Sequence, residues 1–348
     1  MPPFMIGDRL IASDAPCFVI AEIGVNHNGD EAMARDLIDA AQAAGADAVK
    51  FQTFSADRLV VRAAPTADYQ RANTGETNQH AMLKRLEIDE ATHRRLQAHC
   101  ARRGIAFLSS PFDEEAIDML DRLNVAAFKV PSPDCVSTRY LRHMGAKGRP
   151  VILSTGMCDI GEVVSGAETL RAAGSGPIAL LHCTSCYPAP EEDLHLRAMA
   201  TMAAATGLLV GYSDHSDGAA IAIAAVALGA RIIEKHLTLD RALPGPDHRA
   251  SIEPDAFRAM IDGLRTVEKA LGGPVKAPQP CEMSARALGR RSIAAARDLP
   301  AGHRLTGDDL ILLRPGAGIA PRLEDVLIGR ALGRAVAGET LLSWDDLA

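Results

Sequence analysis

Aromatic residues make up only 4% of this 348-residue chain, and there is a single tryptophan. So few rings leave no stacking platform of the kind a sugar-binding module uses. Basic runs are missing as well, and the net charge is −7 with a pI near 5.9. Nothing in the sequence is built to neutralise the phosphates of a nucleic acid or an anionic membrane, so an anionic substrate must be met by cations gathered locally. The most hydrophobic segment, Ala219–Ala230, is far too short to span a bilayer. The opening residues Met-Pro-Pro-Phe-Met lack the basic region and apolar run of a secretory signal. Seven cysteines, an odd number scattered along the chain, do not form a disulfide framework. The expectation is a soluble protein of the reducing cytoplasm, with no nucleic-acid or membrane partner.

Apolar residues make up 47% of the chain, enough for a large core. Short β-like runs recur at Phe18–Ile23, Ala48–Gln52, Ala106–Ser110, Phe128–Val130, Val151–Ser154, Ile178–Cys183, Leu208–Gly211 and Arg231–Glu234. Segments of helical composition separate them, among them Glu31–Ala44, Glu90–Arg103, Glu114–Leu123 and Ala219–Leu228. Glycines 45, 104 and 229 follow three of these, where a left-handed cap is wanted. Eight β/α units predict an α/β fold, a closed (β/α)8 TIM barrel over residues 1–272. Gly272-Gly273-Pro274, with Pro278 and Pro280 behind it, predicts a linker over 273–282. From Met283 to residue 348 the texture changes to short strands and Gly/Pro-rich turns, a unit too small to bury much on its own.

In such a barrel the C-terminal strand ends converge on one face, and two-residue alternation selects the side chains that meet there. Glu22 shares a face with Ile20 and is either a structural carboxylate paired with a buried lysine or a catalytic acid. Lys50 and Gln52 share a face, leaving Val49 and Phe51 for the helices. Ser110, Lys129 with Ser132, Ser154, Ser185 and Ser213 also fall at strand ends. Hydroxyls and two lysines together make a phosphate cradle, although any one serine alone reads as a turn residue. His215 and His236 lie at or beyond the ends of the last two strands, as a metal pair or as ordinary core histidines. His80, His93, His99 and His303 sit in polar segments and are expected to be solvated. Cys183-x-x-Cys186 has no second cysteine pair near it and reads as small residues closing a strand.

At Ala21-Glu-Ile-Gly-Val-Asn-His-Asn-Gly, Ser154-Thr-Gly-Met, Gly211-Tyr-Ser-Asp-His, Glu234-Lys-His and Gly245-Pro-Asp-His the chain resembles the sialic acid synthase family. Arg290-Arg-Ser-Ile and Arg314-Pro-Gly in the tail are similar to that family's antifreeze-like (SAF) domain. The resemblance implies a transferase that condenses phosphoenolpyruvate with an N-acetylmannosamine-type sugar, releases phosphate and requires a divalent metal, commonly Mn²⁺. It implies His215 and His236 as metal ligands, and Lys129, Ser110, Ser132, Ser154, Ser185 and Ser213 around phosphoenolpyruvate. Lys50, a catalytic candidate, with Gln52 and Asp247 would lie toward the sugar, Tyr187 would be a family-motif tyrosine of the substrate site, and Glu22 the acid below the metal. Arg314 would reach a partner's site in a domain-swapped homodimer. Two departures stand out: Asp134, a catalytic candidate that would help Glu22 place the attacking water, stands where many members carry glutamate, and Ser185 where some carry asparagine.

N-acetylneuraminate is the first expectation for the product and N,N'-diacetyllegionaminate the second, on the loop Tyr69-Gln-Arg-Ala-Asn-Thr-Gly. A metal-dependent hydrolase on the same barrel is the rival reading, but it would want more carboxylate or histidine ligands and fewer lysines.

Overall fold

The computed structural model describes residues 2–348, and contacts divide the chain into two compact units, Met1–Gly272 and Gly273–Ala348. A hairpin opens the first, β1 (Phe4–Ile6) against β2 (Arg9–Ile11). Eight parallel strands follow: β3 (Phe18–Gly24), β4 (Ala48–Thr53), β5 (Ala106–Pro111), β6 (Phe128–Val130), β7 (Val151–Ser154), β8 (Ile178–Cys183), β9 (Leu209–Asp214) and β10 (Ile232–His236). They pair in the order β5-β4-β3-β10-β9-β8-β7-β6, and β5 and β6 lie side by side to complete a nearly closed barrel. All eight expected runs are strands. The last two run further than expected, so that Ser213 and His236 still belong to the ladder.

Alternation builds the barrel in layers. Phe18, Ile20, Ala48, Leu108, Ile152, Ala179, Leu181, Leu209 and Ile232 form one buried apolar cluster in the interior, joined from below by Phe4, Ile6 and Ile11 of the hairpin. Val19, Val49, Phe51, Phe107, Val130, Leu153, Val210 and Ile233 take the opposite face and pack with helical residues such as Leu37, Leu96 and Leu264. One or two steps above the interior apolar layer come Glu22, Lys50, Ser110, Lys129, Ser154, Ser213, Glu234 and His236, all buried. The floor therefore closes the barrel, and the next layer carries charge. Gly211 lies between these layers because a side chain there would strike Ile232's carbonyl oxygen and Leu181.

Glu31–Ala44 and Glu90–Arg103 are helices as expected, ended by left-handed Gly45 and Gly104. His93 departs from expectation. It is fully buried, with Nε2 2.8 Å from Thr53 Oγ1, because residues 93, 96 and 100 form the inner face of their helix. None of the helices among the described residues is long and apolar enough to cross a membrane.

In the second unit, Pro280–Glu282 forms a 3-10 turn that continues into a helix, Met283–Gly289, where short strands and turns were expected. The run Met-Ser-Ala-Arg-Ala-Leu is rich in helix formers, and the 3-10 turn before it is capped by Glu282, which accepts from the Gln279 N–H at 2.8 Å. Beyond it, β11 (Ser292–Ala295) pairs antiparallel with β12 (Leu310–Leu313). The unit is internally duplicated. Arg297, Thr306 and Asp309 recur at the same spacing as Arg334, Ser343 and Asp346, and Leu299 and Val336 exchange reciprocal hydrogen bonds of 2.8 and 2.9 Å across the pseudo-dyad.

In each half a buried aspartate accepts from the hydroxyl and N–H three residues earlier, at 2.7–2.9 Å, and from an arginine. Asp309 also receives His303, and these bonds hold its carboxyl far below the usual range. Asp346 is lowered too, since the Ser343 and Arg334 bonds outweigh the opposing effect of burial. A depressed carboxylate stabilises the fold above its unfolded pKa and loses that contribution as pH falls through the folded one. Trp344, the only tryptophan, reports this unit. Its fluorescence melt should drop in midpoint as pH falls below about 4, and Asp309→Ala should lower the midpoint at pH 7 by about 4–8 °C or more. An unchanged melt would show that these boxes do not hold the unit.

Candidate functional site

Four charged side chains meet inside the barrel above the apolar floor. Lys50 Nζ lies 3.0 Å from Glu22 and 3.4 Å from Glu234, and Lys129 Nζ lies 3.8 Å from the same Glu234 oxygen. Hydroxyls complete their bonding. Lys50 donates to Ser110 Oγ at 3.0 Å, Lys129 to Ser154 Oγ at 2.7 Å, and Ser213 donates to Glu234 at 3.2 Å. Gln52 donates to Glu22 at 3.2 Å. Register brings the strands together in this way, for Glu22 pairs with Lys50 across β3 and β4, and Glu234 with Ser213 across β10 and β9.

Burial and charge oppose each other here. Burial raises Glu22 to about 7 even against the pull of Lys50, and lowers Lys129 to about 8 even against Glu234. Lys50 ends above its ordinary value because Glu22 and Glu234 outweigh burial, and Glu234 ends low because both lysines outweigh it. Glu234 Oε2 remains without a hydrogen-bond donor although buried, whereas Glu22 Oε2 has the Lys50 ammonium at 3.0 Å. A group of this kind calls for an explanation, and a ligand beside it is one.

Beside this cluster stand the two histidines. Their ring centroids are 5.4 Å apart, with Tyr187 at 4.2 Å from His215 and 5.8 Å from His236. Tyr69 stacks on Tyr187 at 5.2 Å, so two aromatic walls stand over the histidines despite the low aromatic content. Thr184's carbonyl oxygen accepts from His215 Nδ1 at 2.8 Å, and a carbonyl can only accept. The proton therefore sits on Nδ1, and the Nε2 lone pair is free. His236 Nδ1 is buried and unpartnered, 3.9 Å from Asp247. Two imidazoles sharing an ion at metal–nitrogen distances of about 2.1 Å place their centroids roughly 5 Å apart. The pair fits that geometry. Among the described residues no group of three or more His, Cys, Asp or Glu is placed to hold a metal.

Ser132 and Ser185 gather on the neighbouring loops. Ser132 Oγ accepts from the Gly156 N–H at 3.0 Å, and a side chain at position 156 would collide with Ser185, Ser132 and Cys183. Asp247 is buried and raised to about 6 by that burial. Asp134 is not brought into the charged cluster. It accepts from Ser137 at 3.0 Å and lines a groove with Arg58, Phe112, Asp113 and Tyr140. Arg314 is exposed just past β12 in the second unit. Cys183 is buried 3.7 Å from His215 Nδ1 while Cys186 is exposed, and both are free thiols. Sequence reasoning missed Glu234, which joins both lysines. The signal was present, since alternation puts Glu234 on the same face as His236.

A model of the NeuB family matches residues 37–276, and one of the SAF domain matches residues 290–348. The chain is 45% identical to N,N'-diacetyllegionaminic acid synthase of Legionella pneumophila over 96% of both chains. It is 37% identical to human N-acetylneuraminate-9-phosphate synthase over 87% of this chain and 84% of that one. Among solved structures, N-acetylneuraminic acid synthetase from Leptospira borgpetersenii in complex with citrate superposes with a TM-score of 0.73 at 32% identity, covering 82% of this chain and 95% of that one.

Because the Lys129 ammonium is present below about pH 8 and lost above it, anion binding at this site should weaken as pH rises. Titration calorimetry with inorganic phosphate from about pH 7.5 to 9.5 should show affinity falling toward tenfold per pH unit. Lys129→Met should bind weakly with no such slope. A flat wild-type profile would remove Lys129 from the anion's partners.

Proposed function

Since this chain belongs to the NeuB family of sialic acid synthases and carries a SAF domain, we propose that it condenses phosphoenolpyruvate with an N-acetylated amino sugar, releasing phosphate and forming a nine-carbon 2-keto acid. The observation that carries this reading is the buried meeting of Lys50, Lys129, Glu22 and Glu234 with serines, beside two histidines on one barrel mouth. Lys129 and the hydroxyls of Ser110, Ser132, Ser154, Ser185 and Ser213 suit a phosphate, each supplying charge or a donor. Lys50, Gln52, Asp247 and Tyr187 are the side chains assigned to the sugar and its carbonyl end.

The metal is part of the same proposal. His215 and His236 would hold a divalent ion, Mn²⁺ in the first instance, which when bound polarises the open-chain aldehyde. The protein's own residues do the rest. They hold phosphoenolpyruvate so that its C3 faces the aldehyde carbon, and much of the acceleration comes from fixing two mobile substrates in one mouth. As the carbon–carbon bond forms, positive charge develops at C2. Glu22 offers a carboxylate there and, raised to about 7 by burial, can take the proton of the water that adds to C2. Loss of phosphate from that adduct, with the C2 hydroxyl proton leaving on it, forms the keto group, and the proton taken by Glu22 balances the alkoxide left where the aldehyde was, which becomes a hydroxyl. Asp134 keeps a supporting place at most, since its bond runs to Ser137.

For the sugar, the higher identity and coverage of the Legionella relative favour 2,4-diacetamido-2,4,6-trideoxymannose, and hence a legionaminate-type product, over the N-acetylmannosamine first expected. The two sugars share the aldehyde end and differ at distant substituents, on which the quartet has no bearing. Free cysteines and the lack of any membrane-crossing helix among the described residues suit a cytoplasmic enzyme. Arg314 would act from a second copy in a swapped homodimer.

Phosphate release should require phosphoenolpyruvate, a divalent metal and sugar together, with the diacetamido trideoxy sugar turned over faster than N-acetylmannosamine. His215→Ala should abolish turnover with the fold intact. Release without any sugar would support a hydrolase instead. Separately, mixing inactive Arg314→Ala with inactive His215→Ala chains should restore activity, because one of the two mixed sites then has both residues. No recovery in verified heterodimers would return Arg314 to the surface.

A further inference from the structure

The same two strands carry a second buried ion pair, on the face away from the interior, that the proposed reaction leaves unused. Lys235 and Asp214 stand opposite each other in the β9–β10 ladder, and Lys235 Nζ lies 2.7 Å from Asp214 Oδ2. Both side chains are almost wholly buried, at 3% and 0% exposure. Their other bonds all go to one residue. Lys235 donates to the Ser216 carbonyl at 2.7 Å, and Asp214 Oδ1 accepts from the Ser216 N–H at 2.9 Å and its hydroxyl at 2.6 Å.

A buried ion pair is a poor stabiliser as such, since apolar residues of similar size hold two strands at least as well. What apolar residues lack is any means of satisfying the Ser216 N–H and C=O, which are buried where the ladder has ended. The middle residue of that turn is His215, and the residue after Lys235 is His236. The pair thus ties together the backbones directly beside both histidines. On its other side the His215 carbonyl accepts from the Ala189 N–H at 2.9 Å, and Thr184 fixes its ring.

We propose that Lys235 and Asp214 are positioning residues that hold the Asp214–Ser216 turn, and with it the ring separation of His215 and His236, at the spacing a shared divalent ion requires. This rests on the assignment of the ion to those two histidines. Its test is Mn²⁺ binding to the full-length chain, followed by the electron paramagnetic resonance of free ion, together with thermal melts and steady-state kinetics.

Lys235→Met, and Lys235→Met combined with Asp214→Asn, should weaken Mn²⁺ binding by about 10–100-fold. The double variant leaves no unpaired carboxylate, and its amide oxygen can still accept from Ser216, so only the Ser216 carbonyl loses its donor and the melting temperature should fall by no more than a few degrees. Its turnover should recover at saturating Mn²⁺, with the KM for phosphoenolpyruvate unchanged. Wild-type Mn²⁺ affinity in a folded double variant would overturn the proposal. So would a large drop in melting temperature for both variants, because the pair would then be holding the barrel and not the histidines. If wild type and His215→Ala bind Mn²⁺ equally poorly, the ion assignment itself falls, and that result is distinguishable from the others.

Discussion

Two ammonium and two carboxylate groups buried together in the barrel interior are the constraint around which the rest of the molecule is arranged. Removing such groups from water is costly, and any one of them left alone would be severely destabilising. The quartet survives because Glu234 serves both lysines, Glu22 serves Lys50, and serines and Gln52 fill further bonding positions. Its charges balance only without a ligand. On the proposed reading, an arriving phosphate would compete with Glu234 for the lysines, and the resting network would serve as a preformed anion site holding its own counter-charge.

That arrangement needs a dry, rigid base. The apolar layer of Ile20, Leu108, Ile152, Leu181 and Ile232, sealed by the hairpin residues Phe4, Ile6 and Ile11, supplies it. The hairpin was not legible in the sequence. Its few residues have no periodicity long enough to register, and their role depends on the hole they fill. The opposite mouth is walled by Tyr69, on the short helix Asp68–Thr74, and Tyr187, beyond the end of β8, two segments distant in sequence.

Much of the site could be read in advance because it obeys strand alternation. Ile20 with Glu22, Ala48 with Lys50, Ile152 with Ser154 and Leu209 with Ser213 each place an apolar residue in the floor and a polar one above it. Glu234 obeys the same rule and was overlooked beside the more conspicuous His236. Where period and composition compete, reading fails. His93 lies in a polar helix, yet it falls on the inner face and bonds to Thr53. Met283–Gly289 lies in a turn-rich tail, yet its residues are helix formers.

By itself, the sequence determined the eight strands, the alternation that turns lysines, carboxylates and hydroxyls inward, and the family to which they belong. These are local properties, written in period and residue type within a few positions. Only the tertiary structure decided which inward groups touch. Register placed Glu234 between two lysines, directed Asp134 to Ser137, gave the proton of His215 to Nδ1 through Thr184, and set Lys235 against Asp214 beside the histidines. Those pairings join residues far apart in the chain, across a closed barrel whose register no single segment encodes.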